Sequence, residues 1–95
     1  MPNTKDQMLL ADGFDDCFVG VASLFTNVGI RRVAVYDYDK MVRNLRYRDN
    51  MSRADAEEYL INNTLGAYVG PNTPVYMRKM SLAQAEEIIA LEDGA

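Results

Sequence analysis

RRVAVYDYDKMVRNLRYRDNMSRADAEEYL, residues 31–60, is the stretch on which the fold turns. Its first six residues, Arg31 to Tyr36, alternate in a β-branched setting. Val33 and Val35 take one face and Ala34 and Tyr36 the other, the pattern of a short strand. The period then changes. Tyr38, Met41, Val42 and Leu45 recur as the apolar stripe of a helix, with Asp37 or Asp39 placed to accept from its first free N–H groups. Asp49-Asn50 breaks that helix and Ser52 opens another. With Ser52 as N-cap, Asp55 falls at N3 and Met51 faces Ala56 as a hydrophobic staple. Ala56, Tyr59, Leu60 and Asn63 form the inner stripe of this second helix, and Asp55, Glu57 and Glu58 point out.

On the C-terminal side, Gly66 ends the helix as a C′ glycine. Gly70-Pro71-Asn72-Thr73-Pro74 is a turn dense in breakers, and Pro74 to Met80 reads as a second strand. Ser81-Leu82-Ala83-Gln84 is a capping box, so a last helix is expected to about Glu92. On the N-terminal side, Phe14, Phe18, Val21 and Phe25 stand at i, i+4, i+7 and i+11. That spacing predicts an amphipathic helix, begun by Asp15 and Asp16 near its dipole's positive end and stopped at Gly29. Gly20 weakens such a helix or marks close packing against a neighbour. Residues 1–11 carry few ordering signals and are expected to be a flexible leader. The order is helix, strand, helix, helix, strand, helix. It defines one α+β domain over residues 12–95, with a small two- or three-stranded sheet and about four helices. Two strands alone are marginal, so Tyr68-Val69 or a second copy of the chain is expected to extend the sheet.

Composition narrows the chemistry. Among 95 residues there is no histidine and a single cysteine, Cys17. An internal disulfide, a cysteine-based zinc site and the His-assisted nucleophiles are therefore excluded. No catalytic residue, cofactor or metal is assigned. The N-terminus lacks the basic and apolar regions of a signal peptide, and no apolar run approaches the ~20 residues of a membrane span. A cytoplasmic location without membrane contact is the expectation.

The net charge of −4 is unevenly placed: residues 1–30 sum to −3, residues 31–53 to +4 and residues 54–95 to −5. One basic segment thus lies between two acidic ones. Arg31, Arg32, Lys40, Arg43, Arg46, Tyr47 and Arg48 are the candidate partner-binding residues, with Asp55, Glu57 and Glu58 as a second, acidic face. A surface docking an acidic protein, or an acidic face of a second copy, suits this pattern. Nucleic acid is the alternative, read by the basic helix 38–48 with Tyr38 and Tyr47 as stacking rings. Outward acids on the next helix and the overall negative charge weigh against it.

Three further motifs have ordinary readings. Val35-Tyr36-Asp37-Tyr38-Asp39 resembles the strand-then-Asp-x-Asp of haloacid-dehalogenase phosphatases, but Lys40-Met41 departs from that pattern and the chain is too short for the rest of that fold. Helix capping is preferred over catalysis or a weak cation site. The segment from Gly66 to Pro74 follows a helix and lacks a P-loop lysine, so it is architecture. Asn63 on an apolar stripe is expected to anchor the backbone around Gly66–Gly70 or to form a small polar pocket with Tyr68 and Thr73.

Asp12-Gly13-Phe14-Asp15-Asp16, Val35-Tyr36-Asp37, Met51-Ser52 with Ala56-Glu57-Glu58-Tyr59, and Asn63 to Gly70 followed by Thr73-Pro74 together resemble small uncharacterised proteins encoded by tailed phages. The likeness covers roughly residues 12–76. It implies a phage origin and, with it, a module that binds and modulates a host protein in the host cytoplasm, anti-CRISPR and other anti-defence inhibitors being the relevant comparison. It carries over no functional residue.

Overall fold

The computed structural model describes residues 8–65, 70 and 72–93. Strand β1 (Phe18–Thr26) and strand β2 (Gly29–Asp37) form an antiparallel hairpin. Helix α1 (Tyr38–Arg48) and helix α2 (Arg53–Leu60) follow, and a π-helical turn, Ile61–Leu65, prolongs α2. Strand β3 (Val75–Met77) then pairs parallel to β2, and helix α3 (Leu82–Asp93) closes the chain. Sheet order is β1-β2-β3. This is a small α+β fold. The two helices supply the crossover that a parallel pair requires.

The central stretch folds as its pattern dictates. Asp37 caps α1, its Oδ1 accepting from the Lys40 N–H at 3.1 Å. Ser52 Oγ accepts from the Asp55 N–H at 3.1 Å and caps α2. Met41, Val42 and Leu45 of α1 and Ala56 and Leu60 of α2 are buried against Ala34 and Tyr36 of β2. Phe14, which precedes the short 3-10 turn Asp15–Cys17, and Cys17, its last residue, join the cluster with Ala11. The last capping box is reciprocal: the Gln84 N–H donates to Ser81 Oγ at 3.2 Å and the Ser81 N–H to Gln84 Oε1 at 2.9 Å.

The first predicted helix is not one. Residues 18–26 are the edge strand β1, so the order among the described residues is strand, strand, helix, helix, strand, helix, with three helices there where about four were expected. The third strand comes from this segment; Tyr68-Val69 lies outside the described residues. The helical spacing has a specific origin. Val19 is a β-bulge between the Phe18–Tyr36 and Gly20–Val35 pairs. One extra residue shifts the alternation, so Phe18, Val21 and Phe25 all stand across from even-numbered residues of β2 and share a face. A bulged strand thereby reproduces an i, i+3, i+7 stripe. Gly20 has nothing within 4 Å of an added Cβ, so the close-packing reading is also corrected.

The hairpin turns through Asn27-Val28, and Gly29 takes φ +122°, a conformation that favours glycine. Thr26 Oγ1 fastens the turn by donating to Gly29 O at 2.7 Å and accepting from the Val28 N–H at 3.2 Å. Of the leader expected over residues 1–11, residues 1–7 lie outside the described residues. Residues 8–11 are tied down: the Ala11 N–H donates to the buried Tyr36 hydroxyl at 2.8 Å, and the Leu9 N–H to Asn72 O.

The core sits at one end of the hairpin, under α1 and α2. Residues 24–30 are exposed on both faces, and α3 buries none of its described side chains. The radius of gyration, 15.3 Å, exceeds the about 12 Å of a compact chain this long. Among the described residues no helix is long and apolar enough to cross a membrane.

Candidate functional site

The seven basic-face residues do not form one surface. The fold sorts them into three groups. Arg43 and Arg46 lie one turn apart on α1, off the apolar stripe, with Tyr47 beside them at 82 % exposure. With Asp39, Val42 and Arg53 they line a crevice of about 180 Å³ where α1 meets the start of α2. Among the described residues, neither Arg43 nor Arg46 makes an ion pair, a side-chain hydrogen bond or a ring contact.

Their neighbours are engaged. Asp39 lies 3.9 Å from Arg53 and 3.7 Å from Arg78, while Arg53 also meets Glu57 at 3.0 Å. Asp37 is therefore the cap and Asp39 the hub of a small ion network. Two guanidinium groups beside Asp39 already supply the positive charge that a cation would bring. No three His, Cys, Asp or Glu side chains cluster with metal-ligand geometry among the described residues.

The second group lies on the other flank of α1. Lys40 sits near Asp16 and adds a small pull to it. The Asp16 carboxyl is held below the usual range chiefly by Asn44, whose Nδ2 donates to it at 2.7 Å. Arg48 turns back to donate to Gly13 O at 3.3 Å, over the Phe14 ring and beside Asp49. Arg48 is thus a strut between α1 and the N-terminal segment. The third group is remote: Arg31 and Arg32 of β2 line an open groove of about 490 Å³ with Met8, Val21, Ile30 and Asn72. Arg31 Nη1 donates to Asn72 Oδ1 at 3.4 Å.

The acidic face is also divided. Asp55 and Glu58 are exposed, but Glu57 is half-buried and held by Arg53 one turn away. Asn63 is exposed and donates to Tyr59 O at 3.0 Å, so it is not the buried anchor its position suggested. It turns back on its own helix, a contact open to any Asn four residues after a carbonyl. The helix face narrows because the π-turn rotates residues past Leu60 off the α-helical stripe. Tyr68 and Gly66 lie outside the described residues.

Cys17 is 1 % exposed, and burial, reinforced by the Asp16 carboxylate, pushes its thiol up to about 11. A neutral buried thiol is a poor nucleophile. It is expected to resist thiol reagents at pH 8 in the folded chain and to react on unfolding. Because the folded value lies above the ordinary 9.0, the stability this thiol contributes is present below pH 9 and is lost as pH rises through about 11. A denaturant midpoint followed across that window, compared with Cys17→Ala, checks the sign.

Sequence reasoning missed two features here. Arg53 and Asp39 complete the crevice because the Asp49–Ser52 turn folds the start of α2 back onto the start of α1. The exposed apolar surface of the hairpin was hidden by the helix reading, although residues 18–30 hold no charged side chain and end in a glycine turn. In comparisons with family models, curated proteins and solved structures, nothing matches this chain.

Proposed function

We propose that this chain is a non-enzymatic protein-binding module that presents Arg43, Arg46 and Tyr47 to an acidic surface of a host protein. The observation that carries the reading is the pair of unpartnered guanidinium groups beside an exposed tyrosine at the mouth of a crevice. Arginine and tyrosine are the residue types that anchor interfaces, and the planar guanidinium suits a carboxylate held by two hydrogen bonds. The crevice, about 180 Å³, takes one or two side chains and falls below the roughly 300 Å³ of a small-molecule pocket. Taken with the phage resemblance, the role is that of a phage-encoded inhibitor or modulator, of the anti-defence type to which anti-CRISPR proteins belong, working in the host cytoplasm.

Nucleic acid is the second reading, favoured by the open Tyr47 ring, on which a base could stack between two arginines. Asp39 in the same crevice and the chain's charge of −4 weigh against it. Affinity capture from host lysate with the native chain and with Arg43→Glu plus Arg46→Glu tests the first reading: the captured protein is lost with the double variant. Oligonucleotide titration at low and high salt tests the second, because phosphate contacts weaken steeply with salt. Tight, salt-sensitive oligonucleotide binding by the native chain, removed by the same substitutions, would replace the protein reading with the nucleic-acid one.

A further inference from the structure

We propose that β1 is a dimerisation strand, pairing antiparallel with β1 of a second copy to make one six-stranded sheet across a two-fold axis. In the order β1-β2-β3, β1 is an outer strand of nine residues, and its free edge pairs with no strand among the described residues. Such an edge presents a row of open backbone N–H and C=O groups. Monomeric proteins blunt it with lysine, proline or an inward charge. β1 has none of these. Its one irregularity, the Val19 bulge, lies at the N-terminal end and leaves residues 20–26 in regular register with β2.

The side chains say the same. Phe18, Val19, Val21, Leu24, Phe25, Val28 and Ile30 are all substantially exposed, Phe25 and Val28 at 80 % each. Of these, Phe18, Val21, Phe25 and Ile30 share one face and leave on the order of 400 Å² of apolar residue surface open there, about half of the roughly 800 Å² that each partner contributes to a standard interface. A patch of this size on a monomer marks an interaction site.

The occupant follows from charge. From Phe18 to Ile30 there is no ionisable side chain, so the strand offers nothing to an acidic or basic partner. Two copies elsewhere carry like net charge and repel weakly. Along β1 they meet without any charge opposed. An antiparallel pair is also what a two-fold axis through the middle of a strand generates, with each residue reciprocally matched. Pairing centred near Ala22 brings Val21 and Ser23 of the two copies against each other. It also places the exposed halves of the two hairpins side by side, so that their two-stranded ends, marginal alone, join a wider sheet. The basic crevice lies on α1 and α2 and is untouched by this contact, so the dimer stands or falls independently of the proposed function.

The test uses the full chain in solution. Its mass by light scattering is expected at twice the chain mass at micromolar concentration, falling on dilution. Hydrogen exchange is expected to protect consecutive amides along residues 20–26, because inner and outer edges are then both bonded; in a lone hairpin only alternate amides are. Val21→Lys with Ser23→Lys sets lysines against lysines across the axis and is expected to give the monomer mass, with the amides of Met41 to Leu45 still protected. Leu82→Glu with Leu91→Glu, at positions 75 % and 76 % exposed on α3, is expected to leave the dimer intact. Three results overturn the proposal: a native chain of monomer mass throughout, a doubled mass with only alternate β1 amides protected, or a dimer lost through the α3 variant and kept by the lysine one. Should the lysine pair unfold the chain, exchange on the native protein decides.

Discussion

Leu45→Ala is expected to lower the unfolding free energy by about 2–5 kcal/mol, the range for a buried Leu truncated in a core. Leu45 is buried in the same cluster as Phe14, Cys17, Tyr36, Met41, Val42, Ala56 and Leu60. These neighbours come from the N-terminal turn, β2, α1 and α2, so they are held by four connections and collapse poorly into a void. A domain of this size has roughly 5–15 kcal/mol in total, and each kcal/mol moves Tm by about 4–8 °C. Leu91→Ala, the same truncation on exposed α3, is expected to stay within about 0.5 kcal/mol. Urea unfolding of the two variants measures the contrast. Equal shifts would mean that α3 is packed and that the core is not confined to the β2–α1–α2 unit.

Arg43→Glu with Arg46→Glu is expected to weaken partner binding by about a hundredfold or more, since losing one member of a desolvated charge pair costs 2–5 kcal/mol. The fold should survive. Neither guanidinium makes an ion pair, a side-chain hydrogen bond or a ring contact among the described residues, so no native polar contact is removed. Two small penalties remain. Glu at 43 stands four residues from Asp39, a like-charge pair worth about 0.2–0.5 kcal/mol. Glu at 46 enters the last turn of α1, where the dipole disfavours it by roughly 0.3–1 kcal/mol. The binding loss exceeds both. Arg43→Gln with Arg46→Gln removes the charge without these penalties and is expected to fall between. Titration calorimetry on the captured partner, with thermal unfolding of each variant alongside, separates affinity from stability.

The part of the fold that was legible in the sequence lies between β2 and β3. There the apolar period changes from two to 3.6 at a capping aspartate, a second cap follows Asp49-Asn50, and each signal agrees with the next. Ser81 and Gln84 announced α3 equally well. Residues 14–26 were misread because spacing was trusted over composition. The steps from Phe14 to Phe18 and from Val21 to Phe25 fit helix and strand alike. Only the odd step from Phe18 to Val21 favoured a helix, and the Val19 bulge absorbs it. Phe18, Val19, Val21, Phe25 and Thr26, ending at Asn27-Val28-Gly29, were the competing strand-and-hairpin signal.

The basic site was legible as a charge segment and no further. Which arginines remain free is decided by contacts distant in sequence: Arg48 with Gly13 and Phe14, Arg31 with Asn72, Arg53 and Arg78 with Asp39. Pattern along the chain gives no access to these pairings. They engage Arg31 and Arg48, and Arg32 and Lys40 lie outside the crevice, so seven candidates reduce to an adjacent trio, Arg43, Arg46 and Tyr47.

The central claim, that this trio is a protein-contact surface, is tested most directly by placing a photoreactive phenylalanine analogue at position 47. Tyr47 is 82 % exposed and absent from the core cluster, so the replacement leaves the fold intact. Irradiation in host lysate is expected to join the chain to one protein, through an acidic surface segment identifiable by mass spectrometry, and added Arg43→Glu with Arg46→Glu should abolish the cross-link. Cross-linking from position 82 on α3 but not from position 47, or a product at 47 that the two arginine substitutions leave unchanged, would contradict the account.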